Sequence, residues 1–315
     1  MIRSSRNVFI VRPLASPSAL AIQSDEAQCR IKGKVLKNAE GFYNPIAPGD
    51  IVEIEDGHIV ALEKRRNLFA RFNQKGQAPQ ILAANVDLVL CVTSPASPPF
   101  RPRFLDRVLL QADAAGIQAA IICNKYDLAN NANGEGDNDP DLLDTEERLS
   151  DFERIGFPVL RISAHSGEGM DDFRRLIAGK FSVLVGQSGV GKSSIIKTLI
   201  PDIEIKTGAI NKKFDRGNHT TTQPVLLDIP NITARIIDTP GIRRFIPSGI
   251  SPNEVILYMR EFAPLAGKCS YGLSCSHRTE PGCKIMEAVH AGVIHEDRYE
   301  SFLRTYDDLL GDNYE

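Results

Sequence analysis

The chain holds 315 residues, 42% of them hydrophobic and 24% charged, with a formal net charge of −3 and six cysteines. Such values exclude a chain disordered overall, a collagen-like fibre and a disulfide-stapled miniprotein, and no apolar run approaches the ~18–20 residues of a membrane span. The length suits two or three domains, and three cysteines crowded near the end point to a reducing cytoplasm with one metal site. Residues 1–13 carry three arginines but no long apolar core, so no secretion signal is expected. Charge is uneven: residues 1–85 hold twelve Lys and Arg against eight Asp and Glu, 86–241 seventeen against twenty-one, and 242–315 eight against eleven. A basic front on an acidic body hints at a polyanionic partner.

Residues 1–80 read as an all-β, OB-like barrel. Cys29, Ile31, Gly33 and Val35 alternate with Arg30, Lys32 and Lys34, the period of a half-buried strand with a cationic outer face. Segments 51–55 and 58–62 flank Asp56-Gly57, a hairpin signal. Segment 74–79 reads as a linker. Residues 81–248 alternate strands (86–92, 119–123, 159–162, 181–185) with helices (around 104–112, 141–155, 192–199), and end in a strand pair at 225–228 and 233–238. That alternation predicts a parallel-dominated, three-layer α/β domain. Residues 249–315 read as a mostly helical, zinc-binding module. Ser251-Pro252-Asn253-Glu254 starts one helix and 299–310 forms the last, with the acidic segment from Glu296 solvated.

Gly186-Gln187-Ser188-Gly189-Val190-Gly191-Lys192-Ser193 matches G-x-x-x-x-G-K-[ST] between an apolar strand and a helix. Backbone N–H groups of such a loop wrap phosphates, aided by the helix dipole. Lys192 would neutralise β- and γ-phosphate oxygens and Ser193 would ligate Mg²⁺; Ser194 is counted with the nucleotide-binding set. Asn124-Lys125-Tyr126-Asp127 follows a strand end, where α/β folds bind ligands. Asp127 can accept from N1–H and N2–H₂ of guanine, a donor pair adenine lacks. Asn124 would tie this loop to the phosphate loop, the Lys125 stem would lie along the base, and the amide in Ser163-Ala164 would meet guanine O6. In Asp238-Thr239-Pro240-Gly241, Asp238 would hold Mg²⁺ through water and the Gly241 amide would sense the γ-phosphate. Segment 216–222 has the hydroxyls of a first switch, with Thr221 as the Mg²⁺ and γ-phosphate contact. Ile242, where many GTPases carry a water-orienting glutamine, cannot polarise water. His219 is the nearest catalytic candidate by motif position; the alternative is that it packs or binds a partner. Cys269, Cys275, His277 and Cys283 form C-x5-C-x-H-x5-C, a closed tetrahedral donor set for structural zinc. Cys29, Cys91 and Cys123 read as core.

These guanine-nucleotide motifs stand in rotated order, base recognition before the phosphate loop and switches, as in a circularly permuted GTPase. With the OB-like front and the Cys3His module, the chain resembles the RsgA (YjeQ) family of bacterial small-ribosomal-subunit-dependent GTPases. The resemblance rests on the motif order, the His-Thr-Thr-Thr run at 219–222, and the run from Cys275-Ser276-His277 to Glu280-Pro281-Gly282-Cys283. It implies a cytoplasmic factor in late small-subunit maturation that binds rRNA, hydrolyses GTP on subunit stimulation and is released. It also implies a catalytic His219 and an OB domain on rRNA, through Arg30, Lys32, Lys34 and Lys64-Arg65-Arg66. A monomer with no membrane partner is expected. Two other readings compete: a large-subunit assembly GTPase, and a zinc-containing RNA-binding protein that uses GTP only as a binding switch.

Overall fold

In the computed structural model, residues 1–5, 8–14, 26–31, 41–130, 140–201 and 223–311 are described. The front of the chain forms a five-stranded sheet of β1 (Arg3–Ser5), β2 (Val8–Val11), β3 (Ala27–Ile31), β4 (Val52–Glu55) and β5 (His58–Leu62), in the order β1-β2-β3-β5-β4. Strands β3 and β5 run parallel and the other neighbours antiparallel, a Greek-key path of the OB kind. Phe9, Val11, Cys29, Ile46 and Ile59 fill its core. Asp56 and Gly57 both take positive φ, 47° and 73°, which is what a two-residue turn between twisted strands requires. Arg30 is exposed beside buried Cys29, as the alternation predicts. Lys32, Gly33, Lys34 and Val35 lie outside the described residues.

The expected linker at 74–79 is instead the turn and first residues of a hairpin. Strands β6 (Leu68–Asn73) and β7 (Ala78–Ala84) pair antiparallel, so position 80 falls inside a strand. Asn73 Oδ1 accepts the N–H groups of Lys75 and Gly76 and tightens the turn. A polar Gln, Lys and Gly composition reads alike for a linker and for a turn tip, which explains the error.

The central sheet holds β8 (Leu88–Thr93), β9 (Gln118–Cys123), β10 (Val159–Arg161), β11 (Phe181–Gly186), β12 (Val225–Ile229) and β13 (Ala234–Asp238). Their order is β10-β9-β8-β11-β13-β12, parallel throughout except for the edge strand β12. Val89 and Cys91 of β8 join one core, with Leu105 and Val108 of α1 (Pro102–Ala114). Leu88, Leu90 and Val92 join the opposite core, with Ile195 and Ile196 of α5 (Lys192–Leu199). A continuous apolar run is therefore two alternating sets, each covered by helices. The single-turn helix α2 (Asp127–Asn130) and helices α3 (Pro140–Arg154) and α4 (Met170–Ile177) complete this unit. Cys91 and Cys123 are buried, and burial pushes both thiols well up.

The C-terminal module is less regular than the sequence suggests. Its first segment, Pro252–Tyr258, carries the expected Ser251 and Glu254 capping box but winds as a 3-10 helix. A capping box fixes where a helix begins, not its pitch. Short α6 (Lys284–His290) and long α7 (Glu296–Leu310) follow. Helix α7 starts three residues earlier than read, because the His295 ring accepts the Asp297 N–H. Its acidic sequence conceals a buried side: Arg298 and Asp308 are both inside. Among the described residues no helix is long and apolar enough to cross a membrane.

Candidate functional site

The phosphate loop spans the gap between β11 and α5 and is held by residues from far along the chain. Asn124, 1% exposed at the end of β9, donates from Nδ2 to Val190 O at 2.9 Å. Its Oδ1 accepts the Ala164 N–H at 3.0 Å. One side chain thus joins the 124–127 loop, the 163–164 turn and the phosphate loop. Gly191 is needed at this junction: its φ is +92°, and a Cβ there would sit 2.1 Å from Asn124 Nδ2. Thr198 of α5 adds a strap, with Oγ1 3.0 Å from Ala164 O. Nothing local in the sequence marks Thr198 beyond its place on the helix that follows the loop.

The base-side residues divide. Asp127 Oδ1 is buried and makes no hydrogen bond in the structure. A buried carboxylate oxygen without donors is what a purine with two adjacent N–H donors would satisfy. Lys125, at φ 62°, extends over the loop and donates from Nζ to Ser97 O at 2.6 Å. Tyr126 turns away: its hydroxyl donates to Glu146 on α3 at 2.7 Å, and burial with that bond pushes the phenol up to about 12. The Ala164 N–H, read as a guanine O6 donor, donates to Asn124, and the Ser163 hydroxyl accepts the Ser166 N–H.

On the phosphate side, Lys192 is buried at the start of α5, and Nζ donates to Gly186 O and Gln187 O at 2.8 and 2.9 Å. Burial pulls its ammonium down to about 8, with the negative charge of Asp238 opposing. An ammonium folded onto two carbonyls inside a desolvated loop is poised for a stronger anion. Ser193 is half-buried on the first turn and Ser194 is exposed. Ser188 and Gly189 form the exposed crest of the loop. Gly241 lies against it, where a Cβ would fall 2.7 Å from Ser188 Cα, and the next amide, Ile242 N–H, donates to Gly186 O at 3.1 Å. Ile242, 5% exposed, packs into the α1-side core. The first-switch residues, His219 and Thr221 among them, lie outside the described residues.

A second cluster gathers Cys269, Cys275, His277 and Cys283, whose ligand atoms all lie within 4.8 Å of one another. Tetrahedral zinc with Zn–S of about 2.3 Å and Zn–N of about 2.0–2.1 Å sets S···S at about 3.8 Å and S···N at about 3.5 Å. Cys269 and Cys283 are 3.9 Å apart, and His277 Nδ1 is 3.5 and 3.4 Å from their sulfurs. The donor set therefore fits zinc in chemistry and in size. Lys284 N–H donates to Cys269 Sγ at 3.3 Å and helps orient that sulfur. Glu280 accepts the N–H groups of Ser276, Arg278 and Thr279 and holds the loop around His277; these bonds, Ser276 foremost, hold its carboxyl at about 2. The Tyr299 hydroxyl of α7 donates to His277 O at 2.6 Å. The Cys3His loop and the last helix are thus one unit.

That unit is fastened to α1. Arg298, 2% exposed, makes two bonds to Glu261 at 2.6 and 2.8 Å and one to Asp106 of α1 at 2.7 Å. Arg260 bonds Asp113 of α1 through two nitrogens at 2.9 Å and stacks 3.6 Å over Phe157. Arg107 of α1 and Arg244, three residues past Gly241, both grip Asp308 of α7.

The strand bearing the base-side loop precedes the strand bearing the phosphate loop in sequence, yet the two loops meet in space. This is the arrangement of a circularly permuted P-loop GTPase. The family model described as RsgA GTPase matches residues 62–246, and the chain belongs to that family. A relative named small ribosomal subunit biogenesis GTPase RsgA, from Flavobacterium johnsoniae, is 35% identical over 292 residues, 90% of this chain and 86% of that protein. Its namesake from Porphyromonas gingivalis is 34% identical over 299 residues, 92% of each. Among solved structures, YjeQ from Thermotoga maritima superimposes with a TM-score of 0.65 at 28% identity, covering 91% of both chains. YloQ, titled a circularly permuted GTPase, shares the fold with a TM-score of 0.65 at 24% identity, over 99% of this chain and 94% of that one.

Proposed function

We propose that the protein is a cytoplasmic GTP hydrolase that docks on the small ribosomal subunit through rRNA, assists a late maturation step and leaves after hydrolysis. The reading assigns three modules: an OB-like RNA-binding unit at 1–80, whose last residues already belong to the β6–β7 hairpin, the permuted GTPase at 81–248 and a zinc-binding unit at 249–315. The observation that carries the nucleotide reading is the Asn124 junction, with Asp127 Oδ1 unpartnered beside it. Support for the subunit comes from the relatives' names.

Asp127 would read the guanine N1–H and N2–H₂, and Lys125 would cover the base. Tyr126 would contribute its backbone alone, since its ring faces α3. Lys192 would exchange the Gly186 and Gln187 carbonyls for phosphate oxygens. Mg²⁺ neutralises phosphate charge when bound, and Ser193, Thr221 and Asp238 are the residues to hold it. Gly241 would sense the γ-phosphate from its seat against Ser188. His219 would orient the attacking water, because Ile242 is apolar and turned into the core. That same buried Ile242 favours a second reading, in which the nucleotide is a binding switch without physiological turnover. Zinc held by Cys269, Cys275, His277 and Cys283 would be structural, since the protein fills all four positions.

The test is multiple-turnover phosphate release with and without purified small subunits, for the parent and His219→Ala. Stimulation that the variant loses, with GTP affinity kept, is expected. Stimulation by large subunits alone, or none by either, would refute the proposal.

A further inference from the structure

A cleft of about 470 Å³ opens beside the phosphate loop, lined by Arg101, Arg103, Arg107, Arg243, Arg244 and Arg304. They come from three separate places: the start of α1, the segment after Gly241, and α7. Carboxylates answer only part of this charge. Arg107 and Arg244 share Asp308, and Arg103 and Arg304 share Glu300. Asp297 on the cleft wall faces Arg148. Arg101 and Arg243 are exposed, and no carboxylate among the described residues pairs with either. Phe100, half-buried and packed against the α1-side core, lines the cleft beside Arg101.

We infer that this cleft binds the phosphate backbone of an RNA strand and couples that contact to the second switch. The inference rests on the proposed ribosomal function for its choice of partner. Arginines spread along an open cleft suit a chain of regularly spaced phosphates better than one compact anion, and an aromatic ring among them offers a base a stacking face. Arg243 stands two residues past Gly241, and Gln187 of the phosphate loop forms part of the wall. A strand held by both Arg101 and Arg243 therefore spans a fixed helix start and the switch segment. It binds best when Gly241 holds the seat against Ser188 that the γ-phosphate would favour.

The experiment uses the full chain and a fluorescein-labelled oligouridine, with affinity read by anisotropy against KCl concentration. Two single-strand phosphate contacts contribute about 1.4 to the log–log salt slope, or about 25-fold in affinity at 0.1 M salt. The Arg101→Ala/Arg243→Ala double variant is expected to lose that much. The corresponding double lysine variant is expected to keep most of it, and the parent's slope to be steeper with a non-hydrolysable GTP analogue than with GDP. GDP affinity serves as the folding control, since neither arginine is among the residues assigned to the nucleotide. An unchanged slope in the alanine variant overturns the inference, as does equal displacement of the RNA by millimolar inorganic phosphate. Intact RNA binding with lost subunit binding would mean a protein partner and overturns it too. Equal slopes with the two nucleotides refute the coupling. If the slope falls as expected but subunits stimulate neither protein, the proposed function fails and the cleft assignment stands.

Discussion

Lys192 gives nucleotide binding a specific pH dependence. In the ligand-free protein burial holds its ammonium near pKa 8, against about 10.4 for an exposed lysine. Phosphate oxygens favour the charged form, so binding pulls the pKa back up and takes up a proton above pH 8. The sign follows: affinity is complete below pH 8 and falls as pH rises through it. Between pH 7.0 and 8.5 the protonated fraction drops from about 0.9 to about 0.24, so the GDP dissociation constant should rise about fourfold. A lysine at its ordinary pKa would change by about 1% over that range. Isothermal titration calorimetry at pH 8.5, in two buffers of different ionisation enthalpy, should register about 0.75 proton taken up per GDP. Lys192→Arg, charged at every accessible pH, should bind with a flat profile. PH-independent GDP binding by the parent, with no proton uptake at 8.5, would show that the buried ammonium is not what the phosphates meet.

Gly191→Ala must both strain a positive φ and push its methyl into Asn124. Backbone strain of about 1–3 kcal/mol and the loss of two buried hydrogen bonds at about 1 kcal/mol each predict GDP binding weaker by 100-fold or more, measurable by mant-GDP fluorescence. Asp127→Asn trades a carboxylate for an amide; GTP affinity should fall at least 100-fold, while a xanthosine nucleotide, with a carbonyl in place of the guanine amino group, gains. Dialysis against a strong chelator at low pH should release one zinc per chain, counted by mass spectrometry, and lower the melting temperature; Cys283→Ser should purify with markedly less than one. A chain that is metal-free as purified and melts normally would refute the zinc assignment.

Features written locally in the sequence were legible. The apolar run of β8, the Asp56-Gly57 turn and the phosphate loop each depend on neighbours within a few residues. Asn124 is expected from its motif to tie its own loop to the phosphate loop, and its bond to Val190 does so. Its second bond, to Ala164 forty residues on, left no local mark. Helix α4 has no clear local signature because it is short and opens at Gly169, whose φ of 68° replaces the usual polar cap. Tyr126 sits inside a base-reading motif, but its orientation is decided by Glu146 on another helix. Arg298 stands among acids in a segment that reads as solvated. Only its long-range partner, Asp106, explains its burial.

The tether out of the second switch leaves almost no slack. Gly241 lies on the crest of the phosphate loop, Ile242 is sunk in the core, and Arg244 is already clipped to Asp308 on the last helix. A flexible strap would dissipate an ångström of travel at the glycine; this one must deliver it to α7 or shear Ile242 from its socket. The C-terminal unit with its Cys3His cluster, bolted to α1 at Arg298 and Arg260, is therefore placed to work as a stiff pointer and not as a loose flag. Whatever it touches would feel the state of the nucleotide through three residues of chain.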